Sequence, residues 1–153
     1  MRALEHKIPP PLVFLLVGAA MLAVARITGR IAMENGWRFA IAGAFAALAL
    51  LFAAPAFAAF RRANTTVNPV DIEAASTLVT VGVFRYTRNP MYVALTALLL
   101  AWSVWLAAPW AALGPVAFAL FITRFQIIPE ERALRAKFGR AYEDYAQRVR
   151  RWL

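Results

Sequence analysis

The sequence predicts an all-α integral membrane protein: a bundle of about four transmembrane helices followed by a cytoplasmic amphipathic helix at the carboxyl end. Hydrophobic residues make up 62% of the 153 residues and charged residues only 16%, well below the roughly 25% of soluble domains. The charges lie between long uncharged segments that approach or exceed the ~20 residues of a spanning helix. We therefore expect one membrane domain over residues 1–153, with its apolar excess facing lipid.

Two transmembrane helices are predicted within residues 1–62. The first, residues 10–27, carries a single charge at Arg26, and the second, residues 39–60, is uncharged. A cleaved signal peptide is the alternative interpretation of the first segment. Basic residues near its end occupy positions where small cleavage-site residues are expected, so a retained helix is favoured.

A third uncharged segment, residues 91–123, is too long for one spanning helix. At 1.5 Å per residue it would reach ~50 Å, against a hydrocarbon layer of ~30 Å. Pro109 and Gly114-Pro115 are typical of a bend, so the segment predicts a hairpin of helices near residues 92–107 and 113–128. Three tryptophans suit an interface near its tip: Trp102, Trp105 and Trp110.

The basic residues predict that both termini are cytoplasmic. The hairpin tip has no Lys or Arg, whereas most of the 17 basic residues lie on the opposite side. Only three of the 17 basic residues, Arg26, Arg30 and Arg38, would face outward in this orientation. The compact, Ala-rich spans indicate a bacterial inner membrane.

Two segments lie outside the predicted spans. Residues 63–88 are polar, with a turn signal at Asn68-Pro69, and are expected to form a cytoplasmic connection with at most one short helix. From Pro129 onward the apolar residues recur at helical spacing and the other faces are basic, which is typical of a helix on an anionic leaflet. We expect Gly139 to loosen or bend this helix. Its apolar stripe contains Leu134, Phe138, Tyr142, Tyr145, Val149 and Trp152.

The residue inventory excludes several kinds of chemistry. The chain has no Cys and a single His, His6, so no thiol nucleophile, disulfide or Cys/His metal site is predicted. None of the seven glycines forms Gly-x-Gly, so a dinucleotide fingerprint is absent. The net charge of +9 alone would suit nucleic acid, but the arginines flank the spans and no recognition motif accompanies them. No nucleic-acid partner is predicted.

Two polar clusters stand where the predicted spans meet water: Glu130-Glu131 and residues 88–92. Each has an ordinary explanation alone, because carboxylates stabilise a helix amino terminus by about 0.3–1 kcal/mol and Arg, Pro and Tyr suit an interface. Adjacent helix positions diverge by about 100°, so the two carboxylates are expected to have different partners. The hairpin, however, returns the chain to the side it left. Residues 76–92 and 124–142 are therefore expected to form a pocket at the inner leaflet.

Two stretches on either side of the hairpin carry a family resemblance. They are STLVTVGVFRYTRNPMY (Ser76 to Tyr92) and PEERALRAKFGRAYEDY (Pro129 to Tyr145). Together they resemble the isoprenylcysteine carboxyl methyltransferase family and its phospholipid N-methyltransferase relatives, which share R-H-P-x-Y before a helical hairpin and E-E, then F-G-x-x-Y-x-x-Y, after it. The resemblance covers about residues 64–152. It implies an integral-membrane methyltransferase that uses S-adenosylmethionine without a soluble Rossmann fold.

The resemblance also implies which residues bind the methyl donor. They are Ser76, Thr77, Leu78, Val79, Phe84, Asn89, Pro90, Met91, Tyr92, Glu130 and Glu131. Tyr92 and Glu130, together with Arg88, are the candidate catalytic residues. Glu130 would pair with the donor's ammonium or help hold its positive charge, while the aromatic rings would pack against adenine or the sulfonium-bearing chain. Arg88 would either neutralise the donor's carboxylate or pair with Glu131, and the sequence leaves both alternatives open.

Departures from the family pattern concern the acceptor. Asn89 stands where relatives have His, and the Arg that they place four residues before the first carboxylate falls on Gln126, with Arg124 half a turn away. Arg124 and Gln126 are therefore the candidate substrate residues. An ionised acceptor needs no base and is attracted by a +9 chain, which favours an anionic or thiol acceptor. We expect a lipophilic small molecule or lipidated acceptor that enters from the bilayer.

Two other classes of function remain as alternatives. A small transporter or channel suits short helices, but such proteins usually place an ionisable group deep in the membrane, and none lies in the middle of these spans. A non-enzymatic anchor subunit would use its basic tail to bind lipid or a partner. Such a subunit would tolerate Ala at Tyr92 and Glu130.

Overall fold

A computed structural model describes residues 8–63 and 77–153 of the chain. The described part is helical and contains no strand. Its α-helices are α1 (Pro10–Thr28), α2 (Asn35–Arg62), α3 (Pro90–Leu106), α4 (Leu113–Ile122), α5 (Ile128–Phe138) and α6 (Arg140–Arg148). Two 3₁₀ turns, Gly82–Arg85 and Pro109–Ala112, precede α3 and α4, and a π-helical turn, Thr123–Ile127, joins α4 to α5. The predicted all-α fold class is confirmed.

Three helical segments of the described chain are long and apolar enough to cross a membrane: α1, α2 and the continuous run Pro109–Phe138. The shorter α3 has 17 residues. Helix α2 continues through Pro55, which a membrane helix tolerates when its neighbours satisfy the freed carbonyl group. Length and composition thus identify an integral membrane bundle.

Helix α3 lies at the centre of the bundle, with α2 on one side and α1 and α4 on the other. Small buried residues, Ala49 on α2 and Ala94 and Ala97 on α3, form the contact between these two helices. Small side chains let helix backbones approach closely where lipid provides no hydrophobic driving force. Gly114 of α4 plays the same part against α1, because a Cβ at that position would collide with the side chain of Met21.

The hairpin tip lies at the same end of the bundle as the connection between α1 and α2. The amide of Ile31 donates to the carbonyl oxygen of Ala107 at 2.8 Å, and Ala107 itself adopts a left-handed conformation with φ of 51°. Trp105 packs here against Phe39, and the guanidinium of Arg38 lies 5.2 Å from its ring centroid. Trp102, predicted at the interface, instead donates to the carbonyl oxygen of Gly18 in α1.

The predicted single helix from Pro129 to Trp152 is wrong in its extent. Helix α5 continues α4 through the π-helical turn and stops at Gly139, whose φ of 52° is strained for L side chains. After α6 the chain is extended at Val149, so the apolar stripe is divided. Its tyrosines are buried in one cluster with residues of the first 3₁₀ turn, whereas Trp152 packs against a different cluster, the one that contains Tyr92. Tertiary burial, and not helical periodicity, therefore places the last residues.

Candidate active site

Phe84 and its neighbours fix the chain before α3. Phe84 is buried, and its ring meets Phe60 of α2 edge-on with 5.3 Å between centroids. Its carbonyl oxygen accepts a hydrogen bond of 2.7 Å from the Tyr145 hydroxyl of α6. Helices α2 and α6 therefore both hold the turn that leads to the candidate site, at the end of the bundle opposite the hairpin tip.

The two predicted clusters meet at a hydrogen bond between Tyr92 and Glu130. The Tyr92 hydroxyl donates to Glu130 Oε1 at 2.5 Å, and the two residues lie in the first turns of α3 and α5. Tyr92 is buried, and Glu130 is partly buried. A short bond from a hydroxyl to a carboxylate is among the stronger hydrogen bonds in proteins. Within the described ranges, no Lys or Arg forms an ion pair with Glu130.

Glu131 points to different partners, as its helix position predicted. Arg88 Nη2 donates to Glu131 Oε1 at 2.7 Å, and Arg151 binds the same carboxylate at two points, Nε to Oε1 at 2.9 Å and Nη2 to Oε2 at 2.7 Å. The bond from Arg88 to Glu131 corresponds to one of the two alternatives stated for Arg88, and the other, a contact with the donor's carboxylate, stays a prediction. The hydrogen bond to Glu131 also raises the pKa of Arg151 above its ordinary value, which is the expected sign for a well-paired cation.

Thr87 and Asn89 join the start of α3 to the last residues of the chain. Thr87 is fully buried, its hydroxyl donates to the Arg151 carbonyl oxygen at 3.2 Å, and its oxygen accepts from the Asn89 amide at 3.1 Å. The Asn89 side-chain amide donates to the same Arg151 carbonyl oxygen at 2.9 Å. Asn89 also accepts the first backbone bonds of α3, from Tyr92 and Val93. The segment before α3 is thus tied down on both sides.

The other residues predicted for the donor site divide into three groups. Leu78, Val79 and Met91 pack against the cluster that contains Phe84 and Tyr142. Pro90 is buried at the first position of α3, and Thr77 is exposed. Ser76 lies outside the described residues. The structure therefore brings an apolar group, from Leu78 to Met91, next to the polar group around Glu130 and Glu131.

The two predicted substrate residues lie in the π-helical turn. Gln126 is 1% exposed and donates to the carbonyl oxygen of Ile8 at 2.8 Å, while its Oε1 is buried without a partner in the described part of the chain. The guanidinium of Arg124 lies 5.4 Å from the centroid of the Phe125 ring. Gln126 lies about one helical turn before Glu130. Neither Gln126 nor Arg124 forms a described hydrogen bond with Tyr92 or Glu130.

Sequence reasoning missed Thr87, Tyr145 and Arg151 as parts of this region. Tyr145 was expected in an apolar stripe, where its hydroxyl had no assigned partner. Arg151 belonged to a run of arginines that suited an anionic leaflet, so its bond to Glu131 had no distinguishing signal. The buried hydroxyl of Thr87 has its partner, the Arg151 carbonyl oxygen, in the non-helical segment after α6, which the helical periodicity does not predict.

Parts of this chain are similar in sequence to known proteins. A model of the phospholipid methyltransferase family matches residues 37–141. An uncharacterized protein of Haemophilus influenzae is 51% identical over 63 residues, which are 41% of this chain and 100% of that protein. A probable protein-S-isoprenylcysteine O-methyltransferase of Oryza sativa subsp. japonica is 40% identical over 91 residues, 58% of this chain and 46% of the relative.

A further plant relative is the protein-S-isoprenylcysteine O-methyltransferase B of Arabidopsis thaliana, which is 37% identical over 91 residues, 58% of this chain and 45% of the relative. The alignments thus span less than half of the length of both plant proteins. No solved structure matches the chain significantly.

The helical bundle, with an aromatic hydroxyl and two carboxylates gathered at one end of its spans, belongs to the class of methyltransferases that are embedded in membranes. More specifically, the chain belongs to the phospholipid methyltransferase family, whose match covers more than half of the sequence and includes both Tyr92 and Glu130.

Proposed function

We propose that this chain is an S-adenosylmethionine-dependent methyltransferase that methylates a lipophilic acceptor at the membrane. The observation that carries the proposal is the hydrogen bond between Tyr92 and Glu130. It joins the two stretches that resemble the family, although a complete helical hairpin separates them in sequence. Family membership supports the reaction class, and the methyl donor is inferred from the family.

The polar groups at the site fit the charges of this methyl donor. S-adenosylmethionine has a sulfonium, an ammonium and a carboxylate. Glu130 supplies a partly buried carboxylate that, in the described part of the chain, has a neutral hydroxyl and no cation as partner, which suits a positive ligand group. Arg88 Nε is a buried donor that has no partner among the described residues, which suits a ligand carboxylate.

Each side chain then has a definite task. Bound S-adenosylmethionine supplies an electrophilic methyl group on positively charged sulfur. Glu130 would hold the ammonium, and Tyr92 fixes the orientation of the Glu130 carboxylate through its hydroxyl. Phe84 and Met91 would form an apolar wall for adenine. The main contributions of the protein are alignment of the acceptor with the methyl group and exclusion of water.

The plant relatives favour an isoprenylcysteine-type acceptor, in which a carboxylate takes the methyl group. The family description favours a second candidate, methylation of a phospholipid amine. A carboxylate is already ionised at neutral pH, whereas an amine must first lose a proton. Between pH 6 and 9 the rate with an amine acceptor would rise with pH, and the rate with a carboxylate acceptor would stay nearly constant.

The orientation of the site in the membrane is part of the proposal. The site lies at the end of α2 that carries Arg61 and Arg62, on the same side as the basic residues of α5 and α6. By the positive-inside rule this end faces the cytoplasm, so the methyl donor would enter from the cytoplasm and the acceptor from the inner leaflet of a bacterial inner membrane.

Calorimetric titration of the purified protein in detergent with S-adenosylmethionine and S-adenosylhomocysteine tests the donor site. Glu130→Gln removes the carboxylate charge, and Tyr92→Phe removes the hydroxyl. Each should weaken binding by about tenfold or more, since hydrogen bonds to charged groups contribute roughly 1.5–3 kcal/mol. Glu143→Gln is the matched control, because Glu143 is exposed and its ion pair with Arg135, at 3.7 Å, is long and also exposed.

Unchanged binding by Glu130→Gln would contradict the proposed site, and no binding by the wild-type protein would contradict the proposed cofactor. A second assay offers a labelled methyl donor with either a prenylated cysteine or phosphatidylethanolamine. The product identifies the acceptor class, and its pH profile distinguishes the carboxylate from the amine.

A further inference from the structure

Residues 149–153 form a short non-helical segment, here called the clasp, that follows α6 and lies beyond the part of the chain matched by the family. It binds two elements through backbone and ring groups. The amide of Arg88 donates to the Arg150 carbonyl oxygen at 2.9 Å, and the indole nitrogen of Trp152 donates to the hydroxyl of Thr123 at 3.1 Å. The clasp therefore spans from the segment before α3 to the π-helical turn before α5.

Arg151 is the clasp residue that reaches both sides of the Tyr92–Glu130 bond. Its carbonyl oxygen accepts from Thr87 and Asn89, which lead into α3. Its guanidinium binds both oxygens of Glu131, the neighbour of Glu130 in the first turn of α5. The Glu131 side chain is only 12% exposed, and the bidentate geometry restricts its orientation in a way that a single contact does not.

We propose that Arg151 is a positioning residue, which acts through Glu131 to hold the start of α5 against the start of α3 and so keeps Glu130 in reach of Tyr92. Arg88 shares only one oxygen of Glu131 and comes from the α3 side. Arg151 binds both oxygens and also holds the α3 side through its carbonyl group. The expected consequence for methyl-donor affinity rests on the proposed function, but the effect on Tyr92 does not.

A residue that only stabilised the fold would behave differently. Its loss would lower the unfolding temperature, yet the surroundings of Tyr92 in the remaining folded protein would be unchanged. The two roles can be separated because the chain has four tyrosines, few enough to resolve individually.

The first experiment is ¹⁹F NMR of the full chain in detergent, labelled with 3-fluorotyrosine and measured without any ligand. Tyr92→Phe identifies the Tyr92 signal, and Tyr86, which is 73% exposed, is the internal reference. Arg151→Ala should shift the Tyr92 signal, and Arg151→Lys, which keeps the charge but loses the two-point geometry, should shift it less. Arg150→Ala removes an exposed charge from the residue next to Arg151 and should leave the Tyr92 signal unshifted.

A Tyr92 signal that is unchanged in Arg151→Ala would overturn the proposal. If that variant does not fold, an unchanged signal in Arg151→Lys overturns it equally. The result does not depend on whether the protein binds a methyl donor.

The second experiment is a double-mutant cycle on the affinity for S-adenosylhomocysteine. Arg151→Ala should weaken binding by about tenfold in the wild-type protein and by much less in Tyr92→Phe, because the arrangement that Arg151 supports has already been lost. Equal effects in both backgrounds would overturn the proposal. Absence of binding by the wild-type protein would instead contradict the proposed function, and the NMR result would still decide the role of Arg151.

Discussion

The hydroxyl of Tyr145 donates a buried hydrogen bond of 2.7 Å to the carbonyl oxygen of Phe84, which is 61 residues earlier in the chain. This bond connects α6 to the 3₁₀ turn before α3, and so it joins the two stretches by which the family is recognised. Burial raises the pKa of the Tyr145 phenol above its ordinary value, so the donor proton stays in place well into the alkaline range.

Replacement of Tyr145 by Phe should destabilise the protein without a change of shape. The Phe84 carbonyl oxygen would lose its buried partner, a change that costs about 1–3 kcal/mol. Thermal unfolding in detergent measures the difference. Tyr86→Phe is the control, because Tyr86 is 73% exposed and its substitution should leave the unfolding temperature within error. Equal unfolding temperatures for Tyr145→Phe and wild type would show that the bond contributes nothing.

Tyr142 should make the folded protein less stable as the pH rises in the alkaline range. Burial raises the pKa of Tyr142 to about 12 from the ordinary 10.0. A raised folded-state pKa means that the folded protein keeps the proton after the unfolded chain has lost it. This contribution is therefore fully present below pH 10 and is lost as the pH rises towards 12.

Unfolding temperatures measured between pH 9 and 12 test this dependence. The wild-type protein should lose stability across the upper part of the range, and Tyr142→Phe should show a shallower decline because the group no longer titrates. Tyr86→Phe serves again as the exposed control. A decline of the same slope in Tyr142→Phe and wild type would assign the pH dependence to other groups.

Two glycines in the spans should respond in opposite ways to the same substitution. Gly114→Ala places a methyl group into the side chain of Met21, and overpacking of this kind costs about 1–3 kcal/mol. Gly43→Ala meets nothing within 4 Å, and alanine favours a helix over glycine by roughly 0.5–1 kcal/mol. The unfolding temperature of Gly43→Ala should therefore equal or exceed that of the wild-type protein, and the unfolding temperature of Gly114→Ala should be lower.

A second substitution separates overpacking from any special property of Gly114. Met21→Ala removes the side chain that a Cβ at Gly114 would meet. Gly114→Ala should therefore cost less in the Met21→Ala background than in wild type. An equal cost in both backgrounds would show that the close approach of α1 and α4 is not the cause.

The elements that sequence reasoning predicted well are those whose signal is local. Uncharged length gave α1 and α2, and the prolines near residues 109–115 gave the hairpin. The pairing of Arg88 with Glu131 could be predicted only as one of two alternatives, because the sequence identifies both residues but does not show where their side chains point. Local charge and length suffice where the bilayer is the main constraint.

The clasp is the part that sequence reasoning could not predict. Trp152 continues the helical spacing of the apolar stripe, although the chain reaches it through an extended residue, Val149, and not through a helix. Its position depends on the Thr123 hydroxyl and on packing against a buried cluster whose members come mainly from α1, α3 and α4. Contacts between residues far apart in sequence decide such a position, and periodicity carries no information about them.

The orientation of the bundle can be tested with single cysteines, since the natural chain has none. Trp110→Cys places a thiol at the exposed hairpin tip, and Arg148→Cys places one at the end of α6. If the positive-inside rule holds, a membrane-impermeant maleimide added to intact cells should label the first and not the second. Both should react once the membrane is permeabilised. The reverse pattern would place the Tyr92–Glu130 site outside the cytoplasm, where a cytosolic methyl donor could not reach it.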